Sequence, residues 1–163
     1  MQDMLVKLYD LNDRAVLDAI DICKAKGILV RRAMAYEKER VREWVRAQFS
    51  AGWAAECETA WSNSPISCYI AVAEAEGRII GFACYDVTWR NAFGPTGVHE
   101  SVRGRGAGQA LLLACMAAMK ADGYAYAIIA GVGPLDFYRK VVGAEIIPGS
   151  SPGFYPPFLA KAE

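Results

Sequence analysis

The hydrophobic period of the chain changes near its middle. Before Pro65 the apolar residues recur mainly at helical spacing. A short alternating run over 4–10 reads as a first strand, and Asn12 or Asp13 then offers a helix N-cap. Val16, Leu17, Ile20 and Cys23 are predicted on one helix face, which Gly27 terminates. Val41, Trp44, Val45 and Phe49 repeat that spacing between charged residues and predict a helix over 37–49. Two pieces stay open: 28–32 between an extended segment and a helix entry, and 53–61 between a further helix and a turn.

Beyond Pro65 the pattern becomes that of a sheet. SCYIAVAE (67–74) and RIIGFACYDVTW (78–89) are rich in β-branched and aromatic residues, and Ala75-Glu76-Gly77 between them is hairpin-sized. A turn over 90–95 and a short strand over 96–100 complete a meander. The helix predicted over 106–121 carries apolar residues on nearly all sides, which implies burial against a sheet. YAYAIIA (124–130) reads as a strand covered on both faces. A short helix over 135–142, with Pro134 near its first turn, and a brief strand over 144–147 follow. The proline-rich end leaves 154–159 as an edge strand or a piece docked over a groove. No repeat or linker interrupts the chain, so residues 1–163 are expected to form a single α/β domain.

Composition narrows the function. The 163 residues are 54% hydrophobic and 22% charged, with a formal net charge of +0, so no overall field collects nucleic acid or an anionic membrane. The absence of a long apolar run argues against export and membrane spanning, and a cytoplasmic location is the expectation. Five widely spaced cysteines with a single histidine read as buried thiols, and no metal site is expected from their spacing.

The chemistry concentrates in GVHESVRGRGAGQALLL (97–113). Its basic, glycine-rich turn opens a helix, so unpaired backbone N–H groups and the positive end of the helix dipole converge on one point. Arg103 and Arg105 add donors suited to phosphate oxygens. A Walker loop fails because Gln109-Ala110 stands where Lys-Ser/Thr is required. A dinucleotide fingerprint fails because the glycines run G-x-G-x-G after an antiparallel meander.

What remains is a pyrophosphate turn of the R-x-x-G-x-G/A type, met by Arg103, Gly106 and Gly108. With it, the chain resembles the GCN5-related N-acetyltransferase (GNAT) family. The resemblance covers roughly 68–147 and is strongest at Val98–Gly108 and at Phe137-Tyr138-Arg139-Lys140 followed by Gly143-Ala144. Glu100 stands where the family usually has proline, and Gly131-Val132-Gly133-Pro134 stands where many members have an asparagine. The resemblance implies the acyl-CoA N-acyltransferase fold: a mixed, mostly antiparallel α/β sheet with splayed middle strands flanked by helices. It further implies acetyl-CoA held by Val98, His99, Glu100, Arg103, Gly104, Arg105, Gly106, Ala107, Gly108 and Tyr138.

Acetyl transfer to an amine needs a proton for the leaving thiolate and a base for the amine. The resemblance assigns the first role to Tyr138, and Glu100 is the candidate for the second. Trp53, Trp61 and Trp89 are candidate walls of an acceptor pocket, and the sparse acidic residues favour a small-molecule amine over a polycationic tail. The tail and the aromatic residues are compatible with a homodimer. The competing reading is a catalytically silent CoA-binding sensor or interaction module of the same fold.

Overall fold

A seven-stranded sheet in the order β2-β3-β4-β5-β6-β1-β7 organises the computed structural model, which describes residues 1–156. Its strands are β1 (Met4–Lys7), β2 (Ile28–Arg32), β3 (Cys68–Ala73), β4 (Arg78–Tyr85), β5 (Ala92–Val98), β6 (Tyr126–Ile129) and β7 (Glu145–Ile146). The helices are α1 (Asp13–Ala25), α2 (Lys38–Gln48), α3 (Ala51–Thr59), α4 (Ala107–Ala121) and α5 (Leu135–Val142). Neighbouring strands are antiparallel except β5 and β6, which α4 joins as a parallel pair. This is the mixed, mostly antiparallel architecture expected.

Alternation along the strands divides the core in two. In β4, Ala83 and Tyr85 join the cluster beneath α1, α4 and α5, while Phe82 and Cys84 join the one beneath α2 and α3. Helix α4 is buried almost all round, as its composition requires.

Local chemistry sets the boundaries. Asn12 caps α1, its side chain accepting from the Arg14 and Ala15 amides at 3.0 and 3.3 Å. The buried stripe of α1 is the narrow set Val16, Ala19 and Cys23, which turns Leu17, expected inside, to solvent at 58% exposure. The open segment after Gly27 is a strand, and 51–59 is a helix capped by Ser50. β4 stops at Tyr85 rather than Trp89 because Asp86 turns the chain at φ 55, its carboxylate accepting from the Asn91 amide and the Tyr124 hydroxyl, both at 2.7 Å. β5 begins earlier than expected, at Ala92, and ends at Val98, because His99 starts a 3₁₀ turn over Glu100–Val102. Pairing also shortens β6, whose Tyr126 is 42% exposed.

The unexpected element is the position of β1. It lies inside the sheet, pairing with β6 through Met4↔Ile129 and with β7 through Met4↔Ile146. Asp3 anchors it, accepting from the Gly131 amide at 3.1 Å.

Gly97 is required by close approach. A Cβ there would stand 2.6 Å from Phe49 Cε1, and the Phe49 ring is held by Trp53 and Phe82 with centroids at 5.3 and 5.6 Å. Gly97→Ala is expected to cost about 1–3 kcal/mol of stability, read as a lowered urea midpoint. Parental stability would show that the ring yields freely.

Candidate active site

The sheet opens between β5 and β6. The two strands pair only at Ala92↔Ile128 and Phe93↔Ile129, whereas β5 continues along β4 through Ala83↔Thr96, Phe82↔Gly97 and Gly81↔Val98. The 94–98 backbone therefore has no strand partner on its β6 side among the described residues. An internal edge of this kind can hydrogen-bond an extended ligand as a strand would. Tyr138, on α5, lies at the closed end of the opening, its ring 6.4 Å from that of Phe93. The residue is 7% exposed, burial pushes its phenol pKa up, and its hydroxyl has no hydrogen-bond partner among the described residues.

At the far end of β5 the chain turns into the anion cradle. Gly104 and Gly106 take φ of 79° and 98°, which a Cβ disfavours. The first helical bond of α4 runs from the Ala110 amide to the Gly106 carbonyl at 3.0 Å, and no side chain caps the helix. The amides of Ala107, Gly108 and Gln109 thus face outward without intrahelical partners. Arg103 is exposed and in no ion pair among the described residues. Arg105 is tethered: its guanidinium donates to the Lys26 carbonyl at 3.2 Å, and Lys26 Nζ donates to the Arg105 carbonyl at 3.0 Å. Uncapped amides, left-handed glycines and an unpaired arginine fit a pyrophosphate.

The remaining expected residues fall in different places. Val98 directs its side chain toward Gly81 and Gly108, leaving its backbone to the opening. His99 caps the 3₁₀ turn, its Nδ1 accepting from the Ser101 amide at 3.2 Å. Glu100 is exposed on that turn rather than at a strand end. Trp53 packs on Phe49 beside β5, and Trp89 meets Phe154 at 5.4 Å. Trp61 stands apart, its Nε1 donating to the Met34 carbonyl at 3.1 Å beside the edge strand β2. The docking expected for 154–159 holds for Phe154 and Tyr155, while 157–159 lie outside the described residues.

The sequence leaves Glu56, Glu58 and Asp86 as possible carboxylates near an acceptor site, with no spacing that singles one out. On α3, Glu56 accepts from Thr88 Oγ1 at 2.8 Å and Tyr155 Oη at 3.4 Å, whereas Glu58 is engaged by Lys38 at 3.1 Å and Arg42 at 4.0 Å. The signal in the sequence was its position three residues after Trp53, on the same helix face. A cavity of about 200 Å³, lined by Trp89, Ala92, Ile128 and Phe154 among others, adjoins the closed end of the opening. A polar cavity of about 410 Å³ at Ser67, Tyr85, Asp86 and Asp122 lies at the opposite end of β4 and α4 from the cradle and shares Arg90 with the smaller one.

A parallel strand pair that parts beside an uncapped helix start defines the acyl-CoA N-acyltransferase fold. The Acetyltransferase (GNAT) family model matches residues 38–144, and the chain belongs to that family, whose members are N-acetyltransferases. Among solved structures it is similar to the GCN5-related glucosamine N-acetyltransferase region of a fungal multi-domain GH3 β-N-acetylglucosaminidase, at TM-score 0.70 and 16% identity over 90% of this chain and 19% of that one. It is also similar to a GCN5-related N-acetyltransferase from Sphaerobacter thermophilus, at TM-score 0.65 and 17% identity over 90% of this chain and 48% of that one. A GNAT family N-acetyltransferase from Escherichia coli in complex with CoA matches at TM-score 0.53 and 17% identity, over 70% of this chain and 67% of that one. The chain thus spans under half the length of the first two. No curated protein matches it. Among the described residues, no helix is long and apolar enough to cross a membrane.

Proposed function

We propose that this protein transfers the acetyl group of acetyl-CoA to a primary amine of a small molecule, and that it acts in the cytoplasm. The reading rests on one coincidence: an opening in the sheet has a phosphate cradle at its mouth and, at its closed end, a mostly buried tyrosine whose accessible hydroxyl is engaged by no described residue. Family membership and the CoA complex of the Escherichia coli structure support a coenzyme A ligand. Arg103 and the first-turn amides of α4 hold its phosphates, and the 94–98 backbone with His99 and Glu100 runs beside its pantetheine arm. When bound, it supplies the activated acyl group.

The rest of the chemistry falls to side chains. The amine forms a bond to the acetyl carbon as the carbon–sulfur bond breaks, and Tyr138 gives its phenolic proton to the departing thiolate, regaining one from solvent. A phenol is protonated at neutral pH, and burial of Tyr138 raises its pKa further. Glu100 lies on the turn at the mouth of the opening, away from Tyr138, and takes the proton released by the amine through intervening water. Glu56, Trp53 and Trp89 receive the acceptor; Trp61, bonded to Met34 beside β2, does not. The small cavity at Trp89 and Phe154 suits a compact amine such as an amino sugar or amino acid derivative.

Calorimetry with acetyl-CoA and thiol release with a panel of amines test this reading. Binding with turnover on small amines is expected. Turnover only on peptides overturns the acceptor class, and tight binding without turnover on any amine replaces the enzyme with a CoA sensor. Glu100→Gln is expected to lower kcat/KM about 100-fold. An unchanged pH–rate profile would remove Glu100 from the reaction.

A further inference from the structure

The α2/α3 side of the core contains a group of side chains that acetyl transfer does not use. Cys57 on α3, Cys68 on β3 and Cys84 on β4 bring their sulfurs within 4.8 Å of one another, and all three residues are 0% exposed. Two facts of the fold assemble them. Cys68 and Cys84 are directly paired across the β3–β4 ladder, and α3 packs over that pair with Cys57 facing inward. All five cysteines are free thiols, and Cys23 and Cys115 belong to the cluster on the other side of the sheet.

We propose that Cys57, Cys68 and Cys84 form a three-sulfur binding site for a trivalent thiophilic ion, of the class of arsenic(III) or antimony(III). Bonds of about 2.3 Å from one centre to three sulfurs bring those sulfurs to about 4 Å of one another or less, a small contraction from the 4.8 Å within which they already lie. The surroundings select the ion. Among the described residues no His, Asp, Glu or fourth Cys joins the three, and the shell of Ala33, Val41, Ala54, Ala60, Ile70 and Phe82 is apolar, which disfavours a closed tetrahedral zinc site. The same apolar shell penalises net charge. Three thiolates around a trivalent centre sum to zero, whereas the same three around copper(I) would bury two negative charges.

The loading step balances without a redox partner. Arsenous acid exchanges its three As–O bonds for three As–S bonds, and each thiol proton leaves with a hydroxide as water. Oxidation state is unchanged. Entry requires α3 to lift from the strands, the kind of local opening a nine-residue helix permits. The bound centre then cross-links α3 to β3 and β4, and α3 carries Trp53 and Glu56. The proposal is independent of the acetyl-transfer reading.

One experiment on the full chain, kept reduced and incubated with arsenite or with copper(I), separates this site from its two alternatives. Native mass spectrometry is expected to show one arsenic per chain, arsenic-edge X-ray absorption three sulfur neighbours and no oxygen, and thermal unfolding a raised midpoint. Cys57→Ser, Cys68→Ser and Cys84→Ser each abolish the three-sulfur signature, while Cys23→Ser and Cys115→Ser retain it. The alanine replacements at the same three positions check that loss of the signal is not loss of the fold, which circular dichroism follows. No retained arsenic, or a mixed sulfur–oxygen shell in the parent protein, means that the thiols are simple core filling and overturns the proposal. Retention of copper(I) but not arsenic overturns the assignment to a trivalent ion.

Discussion

Tyr138→Phe is expected to lower kcat for acetyl transfer by about 100- to 1,000-fold, with little change in acetyl-CoA affinity. The substitution keeps the ring that packs against Phe93 and Phe137, with centroids at 6.4 and 5.1 Å, and removes only the hydroxyl. That hydroxyl has no structural partner among the described residues, so its loss leaves no buried donor or acceptor unsatisfied. A stability effect and a catalytic effect are therefore separable at this position. The pH dependence gives a second readout. Burial raises the phenol above its ordinary value of 10.0, so the basic limb of the parental rate profile lies above pH 10 and vanishes in the variant. Stability moves in the same window: as pH rises past 10 the unfolded chain loses this proton first, and Tyr138 then weakens the folded state. A variant with parental kcat would assign thiolate protonation to water.

Gly104→Ala combined with Gly106→Ala is expected to raise the acetyl-CoA dissociation constant about 100-fold, or about 2.7 kcal/mol. Each residue occupies the left-handed region, where an L side chain costs about 1–2 kcal/mol. Neither new methyl group is crowded: nothing lies within 4 Å of a Cβ at Gly104, and the nearest atom to one at Gly106 is Cys23 Sγ at 3.6 Å. The chain consequently folds, but the turn relaxes away from the shape that aims the Ala107, Gly108 and Gln109 amides. Gly77→Ala is the control. It carries φ of 60° and an equally open surrounding in the β3–β4 turn, so it imposes similar strain far from the cradle. Calorimetric titration of both variants checks this, and equal affinities would deny the cradle its role.

The elements that were legible in the sequence are those whose cause is local. The cradle announces itself because phosphate binding needs particular backbone angles in consecutive residues, and Leu135–Val142 matches its expected span because proline and glycine bracket it. The end of β5 was misplaced because the capping bond from Ser101 to His99 outweighs the strand pattern at Glu100. Glu56 was obscure for a different reason. Thr88 and Tyr155, which hold it, come from two other parts of the chain, and no spacing within α3 reveals them. The same holds for the three cysteines, whose separation in sequence hides their contact in space.

The placement of β1 carries a consequence for how the molecule is made. One wall of the opening is β6, and its outer neighbour is β1, a strand far upstream in the sequence, which waits for β6 and β7 until all the residues between them are made. Until then Met4–Lys7 has no ladder to join, and such long-range pairing is slow to form. The hairpins of β3, β4 and β5 need no such delay. Coenzyme A capture should accordingly emerge as the last event of folding, and a nascent chain halted before β6 should show the cradle's glycines without the cleft they serve.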